Sequence, residues 1–248
     1  MTPLEVELEK ELNWRVKEIT TIRGIPLTGR LQNYQNEIII KNSSIAFYSL
    51  WEGFVVKGLR KYICEINKQN IDSKTLHPCV LTHNIDIKYL KEKPHTDFDD
   101  KILLIRDIYD YLNKPINVGM DIPTSSNVNF KRINIILKRL NIPLMHGNHQ
   151  TPLNHLVRVR DDAAHGEFSI PTNLDTVQEL SFTAINAMTD LAINISDAYN
   201  LSILSKMKSP AMQQPLPKSR RRDRTFVEIV TDRHSLPVYY GVQSVQRS

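Results

Sequence analysis

The sequence is poor in cysteine, in glycine and in long apolar runs, and each shortage excludes a class of protein. Its two cysteines, Cys64 and Cys79, lie in unlike contexts and are too few for a disulfide framework or a thiolate zinc site. No apolar run approaches the roughly 20 residues of a membrane-crossing helix. The acidic, amphipathic amino terminus does not resemble a secretory signal. We therefore expect a cytoplasmic protein with reduced thiols, no membrane span and no cofactor, since a glycine-rich phosphate loop is also missing.

Apolar residues recur at spacings of three and four along most of the chain, and only eight of 248 residues are glycine. This pattern predicts an all-α protein. Thr2, Pro3 and Glu5 form a helix-start signal, and Thr151 with Pro152 repeats it. We expect a loop with at most a short helix over residues 69–95, and a long central helix in a bundle. The predicted helices cover residues 3–21, 36–67, 97–112, 127–140, 151 to about 166, and 172–205.

The amino-acid composition changes after residue 207, where the predicted helical domain (1–207) ends. Residues 208–224 contain prolines and a block of positive charge, which is typical of an exposed linker. Residues 225–248 are β-prone but too short to fold alone, so we expect a tail that docks or adds a strand to a partner. A basic block suits a polyanion, and the RNA contacts that we assign to it are Lys218, Arg220, Arg221 and Arg222.

The segment RDDAAHGE, residues 160–167, is the compact cluster of reactive side chains in the sequence. Arg160 and His165 are five residues apart, which places them about 140° from each other around a helix. One chain therefore does not easily direct both groups at one phosphate, whereas two facing copies in a symmetric homodimer do. Arginine binds phosphate as a charged fork, and histidine moves protons near neutral pH. RNA supplies its own nucleophile in the 2′-hydroxyl, so this pair suits metal-free transesterification.

Other interpretations of these residues stay open at this point. A helix C-terminus with a capping histidine, and with Arg160 paired to a nearby carboxylate, has the same composition. Hard and transition cations accept carboxylate and imidazole ligands, although the spacing of Asp161, Asp162, His165 and Glu167 matches no strong metal motif. Three more histidines precede the segment, and we expect the HGNH stretch to be a surface loop: these are His146, His149 and His155.

The phrase LVRVRDDAAHGE resembles the signature of HEPN domains, in which an arginine and a polar residue are followed by three residues and a histidine. Asp161 stands where the family most often has asparagine, and Ala163 replaces a bulkier apolar residue. The resemblance covers most of residues 3–206 but not the tail. Three further segments resemble the MAE-like branch of HEPN nucleases, in the same order: ELEKELNWRVKEI, FYSLWEGFVVKGLRKYI and SSNVNFKRINIILKRLNI.

The resemblance implies an all-α, HEPN-like helical bundle that dimerises with its motifs facing across a cleft. It also implies a metal-independent endoribonuclease of toxin or antiviral defence type, with an antitoxin or a companion defence protein as a candidate partner. Arg160 would bind the scissile phosphate, His165 would transfer a proton, and Asp161 would orient one of them. Arg158 is assigned as a further RNA contact. Some HEPN members do not cleave, so the alternative is a noncatalytic RNA- or protein-binding module.

Overall fold

The computed structural model describes residues 1–86, 97–115, 117–125 and 127–205. Within these ranges the chain forms α-helices joined by turns and extended segments, with no β-strand, so the predicted all-α fold is confirmed. The predicted linker and tail, including Lys218, Arg220, Arg221 and Arg222, lie outside the described residues. The helices are α1 (Pro3–Gly24), α2 (Asn33–Asn67), α3 (Pro78–Ile85), α4 (Phe98–Leu112), α5 (Phe130–Arg139), α6 (Gln150–Ala164) and α7 (Leu174–Ser205).

Helix α1 begins where the sequence predicts it. The Thr2 hydroxyl accepts a hydrogen bond from the Glu5 backbone N–H at 3.2 Å, and the Glu5 carboxylate accepts one from the Thr2 N–H at 2.7 Å. This reciprocal pair satisfies two backbone donors that a helix start otherwise leaves open. The helix buries a stripe of apolar side chains against the rest of the bundle: Leu4, Leu8, Leu12, Val16 and Ile19.

Helix α2 is the central helix of the bundle, as predicted, because it packs against α1, α6 and α7. Its large side chains Phe47, Trp51 and Phe54 are fully buried. Gly58 lies where α1 and α7 both pack tightly against α2: a Cβ there would lie 3.3 Å from both Leu8 Cδ2 of α1 and Ile195 Cδ1 of α7. A side chain at position 58 would therefore require the Leu8 and Ile195 side chains to shift by a few tenths of an ångström.

An irregular segment before α5 is held along α2 by side chains that bond to its backbone. The Tyr48 hydroxyl accepts from the Val128 N–H at 2.7 Å, and Trp51 Nε1 donates to the Val128 carbonyl at 2.9 Å. Farther along α2, the Asn67 amide accepts from the Val118 N–H at 2.8 Å and donates to the Val118 carbonyl at 3.0 Å. These bonds satisfy buried backbone groups that have no helix or sheet partner.

Two sequence expectations about helix ends are corrected. Thr151 is not an N-cap, because α6 already begins at Gln150, directly after a short 3₁₀ turn at Gly147–His149. Helix α5 begins at Phe130 rather than near residue 127, because the Asn129 side chain caps it by accepting from the Arg132 N–H at 2.9 Å. None of the described helices is long and apolar enough to span a membrane.

Candidate functional site

The reactive segment lies at the carboxyl end of α6, where a left-handed glycine turns the chain. Gly166 has φ +72, and its N–H donates to the Ala163 carbonyl at 3.1 Å. The Glu167 N–H reaches back to the Asp162 carbonyl at 3.0 Å. This pair of bonds is a Schellman motif, and glycine adopts the required conformation at little cost. The helix ends at Ala164 and His165 is its C-cap residue, which agrees with the predicted end near Gly166.

Asp162 fixes the loop that follows this turn. Its buried carboxylate accepts hydrogen bonds from the Ser169 hydroxyl, from the Ser169 N–H at 3.1 Å and from the Ile170 N–H at 3.1 Å. The Ser169 hydroxyl bond, followed by the two backbone N–H donors, lowers the pKa of Asp162 below its ordinary value, against the raising effect of burial. Asp162 is thus a charged structural anchor between α6 and the loop, which leaves its carboxylate engaged rather than available to a metal.

Arg160 is packed against an aromatic ring of α2. Its guanidinium carbon lies 3.8 Å from the centroid of the Tyr48 ring, and its Nη1 lies 2.8 Å from Asp161 Oδ1. The Arg160 side chain is 17% exposed, so it is mostly covered but still reaches solvent. Stacking on a ring and pairing with a carboxylate both restrict a guanidinium to one orientation. The group is therefore held in place before any ligand arrives.

Tyr48 is itself held through its hydroxyl, which accepts a hydrogen bond from the Val128 N–H at 2.7 Å. Burial raises the pKa of the Tyr48 hydroxyl above its ordinary value, and the nearby Glu52 carboxylate adds to this, while the Val128 hydrogen bond and the Arg160 charge oppose it. The phenol therefore stays neutral at physiological pH and serves as a fixed platform. The sequence carries no signal for this contact, because Tyr48 and Arg160 lie on helices far apart in the chain.

His165 lies in a different environment from Arg160. Its side chain is exposed, and no described residue binds its imidazole. The backbone keeps right-handed helical angles through His165 (φ −86, ψ −2). The separation of about 140° between Arg160 and His165 around the helix axis therefore persists. One chain presents a fixed, mostly covered cation and a freely accessible imidazole on different sides of the same helix end.

The remaining candidate residues divide into exposed and structural ones. Arg158 is exposed on α6, beside His155, and Asp161 is half-exposed and pairs with Arg160. The prediction of a surface loop at HGNH is wrong for His149, which is buried and lies 2.6 Å from Asp190 of α7. Within the described residues, no three histidine, cysteine, aspartate or glutamate side chains converge on a point where a metal ion would fit.

This chain matches a protein-family model. The model of MAE_28990-like HEPN domains matches residues 4–202, which is most of the 248-residue chain. The matched region includes α1 from its second residue, the central helix α2, the segment before α5, and the α6 end with Arg160 and His165. Searches of curated proteins and of solved structures found no match.

Proposed function

Because the chain belongs to the MAE_28990-like HEPN family, we propose that it is a metal-independent endoribonuclease of toxin or antiviral defence type. The observation that carries the proposal is that one helix end presents an oriented Arg160 guanidinium and an accessible His165 imidazole on different sides. Two such ends that face each other in a homodimer would complete each site with Arg160 of one chain and His165 of its partner. A fixed cation stabilises the charge that develops on a phosphate in the transition state. An accessible imidazole moves the proton that the reaction requires.

The reaction follows from the chemistry of RNA. The 2′-oxygen loses its proton, attacks the adjacent phosphorus and displaces the 5′-oxygen of the next nucleotide, which takes up a proton. The products are a 2′,3′-cyclic phosphate and a 5′-hydroxyl. We assign the proton transfers to His165 and the charge on the phosphoryl oxygens to Arg160, and Asp161 orients Arg160 through their ion pair. Arg158, exposed on the same helix, is assigned to a flanking phosphate.

The proposed activity is tested with labelled RNA and the purified full-length protein in excess chelator. We expect cleavage that leaves 2′,3′-cyclic phosphate ends. His165→Ala and Arg160→Ala should each reduce the rate by about a hundredfold or more, the usual contribution of a positioned acid–base group or oxyanion donor. His146→Ala, at an exposed histidine outside the motif, is the matched control and should cleave like the wild type. Activity that disappears with the chelator would contradict the proposal.

The second candidate function is a noncatalytic module that binds RNA or a protein. The observation in its favour is that Asp161 already pairs with Arg160 and Tyr48 covers one face of it, an arrangement that also suits a purely structural arginine. In that case His165→Ala and Arg160→Ala change only affinity or assembly, and intact RNA is recovered from every variant and from the wild type.

A further inference from the structure

An exposed aromatic ring stands three residues after His165. Phe168 is 43% exposed and has φ +46. A bulky L residue rarely adopts a left-handed backbone, because its Cβ crowds the neighbouring carbonyl. The family motif ends at the histidine, so neither the motif nor ordinary loop preferences explain why an aromatic residue occupies this position.

The loop fixes Phe168 from both sides. The Schellman bonds of Gly166 and Glu167 set the chain direction before it, and the Asp162 carboxylate holds the N–H groups of Ser169 and Ile170 after it. An unfavourable backbone conformation persists where the surroundings determine it more than once. The ring is therefore presented to solvent at a set position relative to the end of α6.

A cation of α2 faces this ring. Lys41 Nζ lies 5.7 Å from the centroid of Phe168, and Lys41 is exposed. Lys41 and Tyr48 are seven residues apart on α2, which places them within about 20° of each other around the helix. One side of α2 thus carries Tyr48 under Arg160 and, two turns away, Lys41 beside Phe168. The aromatic ring and the lysine continue the surface that begins at the motif arginine.

We propose that Phe168 and Lys41 form a subsite for one unpaired nucleotide beside the scissile phosphate. Phe168 stacks on the base, and Lys41 binds the phosphate next to it. This subsite rests on the proposed function, because it places the RNA that Arg160 and His165 act on. A base stacks on a protein ring only when it has left its own helix. The subsite therefore selects single-stranded RNA, or a loop, over a duplex.

Affinity in a chain that cannot cleave tests the subsite directly. The full-length His165→Ala protein is titrated with a short fluorescent single-stranded RNA and with the matching duplex. Adding Phe168→Asn removes the ring and keeps a residue that tolerates the left-handed backbone. This change should weaken single-strand binding about tenfold and leave duplex binding unchanged. Phe168→Tyr keeps the stacking face and should bind like the parent.

The lysine is tested through the salt dependence of the same binding. Lys41→Gln should lower the slope of log Kd against log salt by about 0.7, the value for one single-strand phosphate contact. Lys17→Gln, at an exposed lysine of α1, and Phe98→Asn, at an exposed ring that opens α4, are the matched controls. Neither control should alter affinity or slope. Circular dichroism and the unfolding temperature of each variant verify that the fold is retained.

The outcomes separate the subsite from the catalytic proposal. If Phe168→Asn binds single-stranded RNA as tightly as its parent, or if the parent binds none, the subsite is wrong. If the ring and the lysine act as expected but the wild-type protein leaves the same RNA uncut, the subsite holds and the endonuclease assignment fails. An equal loss in Phe168→Asn and Phe168→Tyr also rules out stacking.

Discussion

Tyr48 connects the buried core to the reactive end of α6. Its ring faces the Arg160 guanidinium at 3.8 Å, and its hydroxyl is fixed by the Val128 N–H at 2.7 Å. A charged group assists a reaction most when it is already oriented and need not reorganise as the transition state forms. Because Tyr48 is 3% exposed, we assign it no contact with the proposed substrate. It is a positioning residue whose effect passes through Arg160.

Replacing the Tyr48 ring should therefore slow the proposed cleavage more than it weakens RNA binding. Tyr48→Leu retains apolar volume but removes the face on which Arg160 stacks, so we expect kcat to fall about tenfold, in line with a partly desolvated cation–π contact. Tyr48→Phe keeps that face, so its kcat should equal that of the wild type. Both variants lose the acceptor for a buried N–H and should unfold about 1–3 kcal/mol more easily. Steady-state kinetics and urea unfolding measure the two effects separately.

Trp51→Phe is the control for a purely structural effect. It removes the hydrogen bond to the Val128 carbonyl but does not alter the ring beneath Arg160. We expect a loss of stability similar to that of Tyr48→Phe, with kcat unchanged. A drop in kcat as large as that of Tyr48→Leu would mean that the Val128 segment, rather than the stacked ring, controls the site.

The sequence identified some of these residues and not others, for physical reasons. Arg160 and His165 could be predicted as site residues because a local motif holds both. Tyr48 and Phe168 were missed: the first depends on contact between distant helices, and the second on a loop conformation that Asp162 imposes. The structure confirms the interpretation of Arg160 as paired with a nearby carboxylate, which is Asp161. Pairing and catalysis are compatible, since an ion pair also orients the guanidinium.

At the scale of elements, α3 is joined to α5 by a histidine that must stay neutral. His83 is 1% exposed, and its Nδ1 accepts from Arg139 Nε at 3.0 Å, while Arg139 also pairs with Asp86. Burial lowers the pKa of His83 to about 4, and the Arg139 charge adds to this; Asp86 and Asp121 oppose it. Protonation would remove the acceptor and place two cations together.

The buried hydrogen bond between His83 and Arg139 predicts a loss of stability in mild acid. An unfolded chain protonates histidine near pH 6.5, whereas folded His83 resists protonation down to about pH 4. Between these values the unfolded state binds more protons, so the free energy of unfolding decreases as the pH falls. The contribution of His83 to this decrease reaches up to about 3 kcal/mol. Urea unfolding at several pH values from 7 to 4 measures it.

His83→Gln supplies the reference, because glutamine offers an acceptor to Arg139 but does not titrate. The free energy of unfolding of the wild type, measured relative to that of His83→Gln, should decrease steadily from pH 6.5 to pH 4. If the unfolding free energies of the two proteins changed in parallel with pH over this range, His83 would titrate alike in the folded and unfolded states. The buried hydrogen bond to Arg139 would then not hold His83 neutral.

Helix starts were predictable where the signal is closed within one turn. Thr2 and Glu5 satisfy each other's N–H groups, so the sequence alone defines the start of α1. Thr151 and Pro152 repeat the Thr-Pro pair of that start. The helix nevertheless begins one residue earlier, at Gln150, because the turn at Gly147–His149 leads directly into α6. A hydrogen bond between His149 Nε2 and Asp190 Oδ2, 2.6 Å long, ties that turn to α7. A tertiary contact, which no local pattern reports, accompanies the earlier start.

For the whole molecule, the sequence predicted the bundle well because its period is read directly from apolar spacing. Helices α1, α2 and α7 meet at Gly58, and the family match extends over the described core. The number of chains in the active protein could not be predicted in this way, because it depends on a surface that one chain presents to another. The motif indicates a dimer only through its geometry, since Arg160 and His165 occupy different sides of one helix end.

The proposed homodimer places Arg160 of each chain near His165 of its partner, and this arrangement predicts that two inactive variants restore each other. Arg160→Ala and His165→Ala proteins, unfolded together and refolded, form mixed dimers that make up about half of the population if association is random. Each mixed dimer has one intact arginine and one intact histidine from opposite chains, so RNA cleavage should return to a measurable fraction of the wild-type rate. Refolding either variant with the Arg160→Ala/His165→Ala double variant should restore none. If differently tagged chains co-purify as mixed dimers but cleave no RNA, each chain must carry its own complete site, and the two side chains must then converge by a change at the end of α6 that brings His165 around to the Arg160 side.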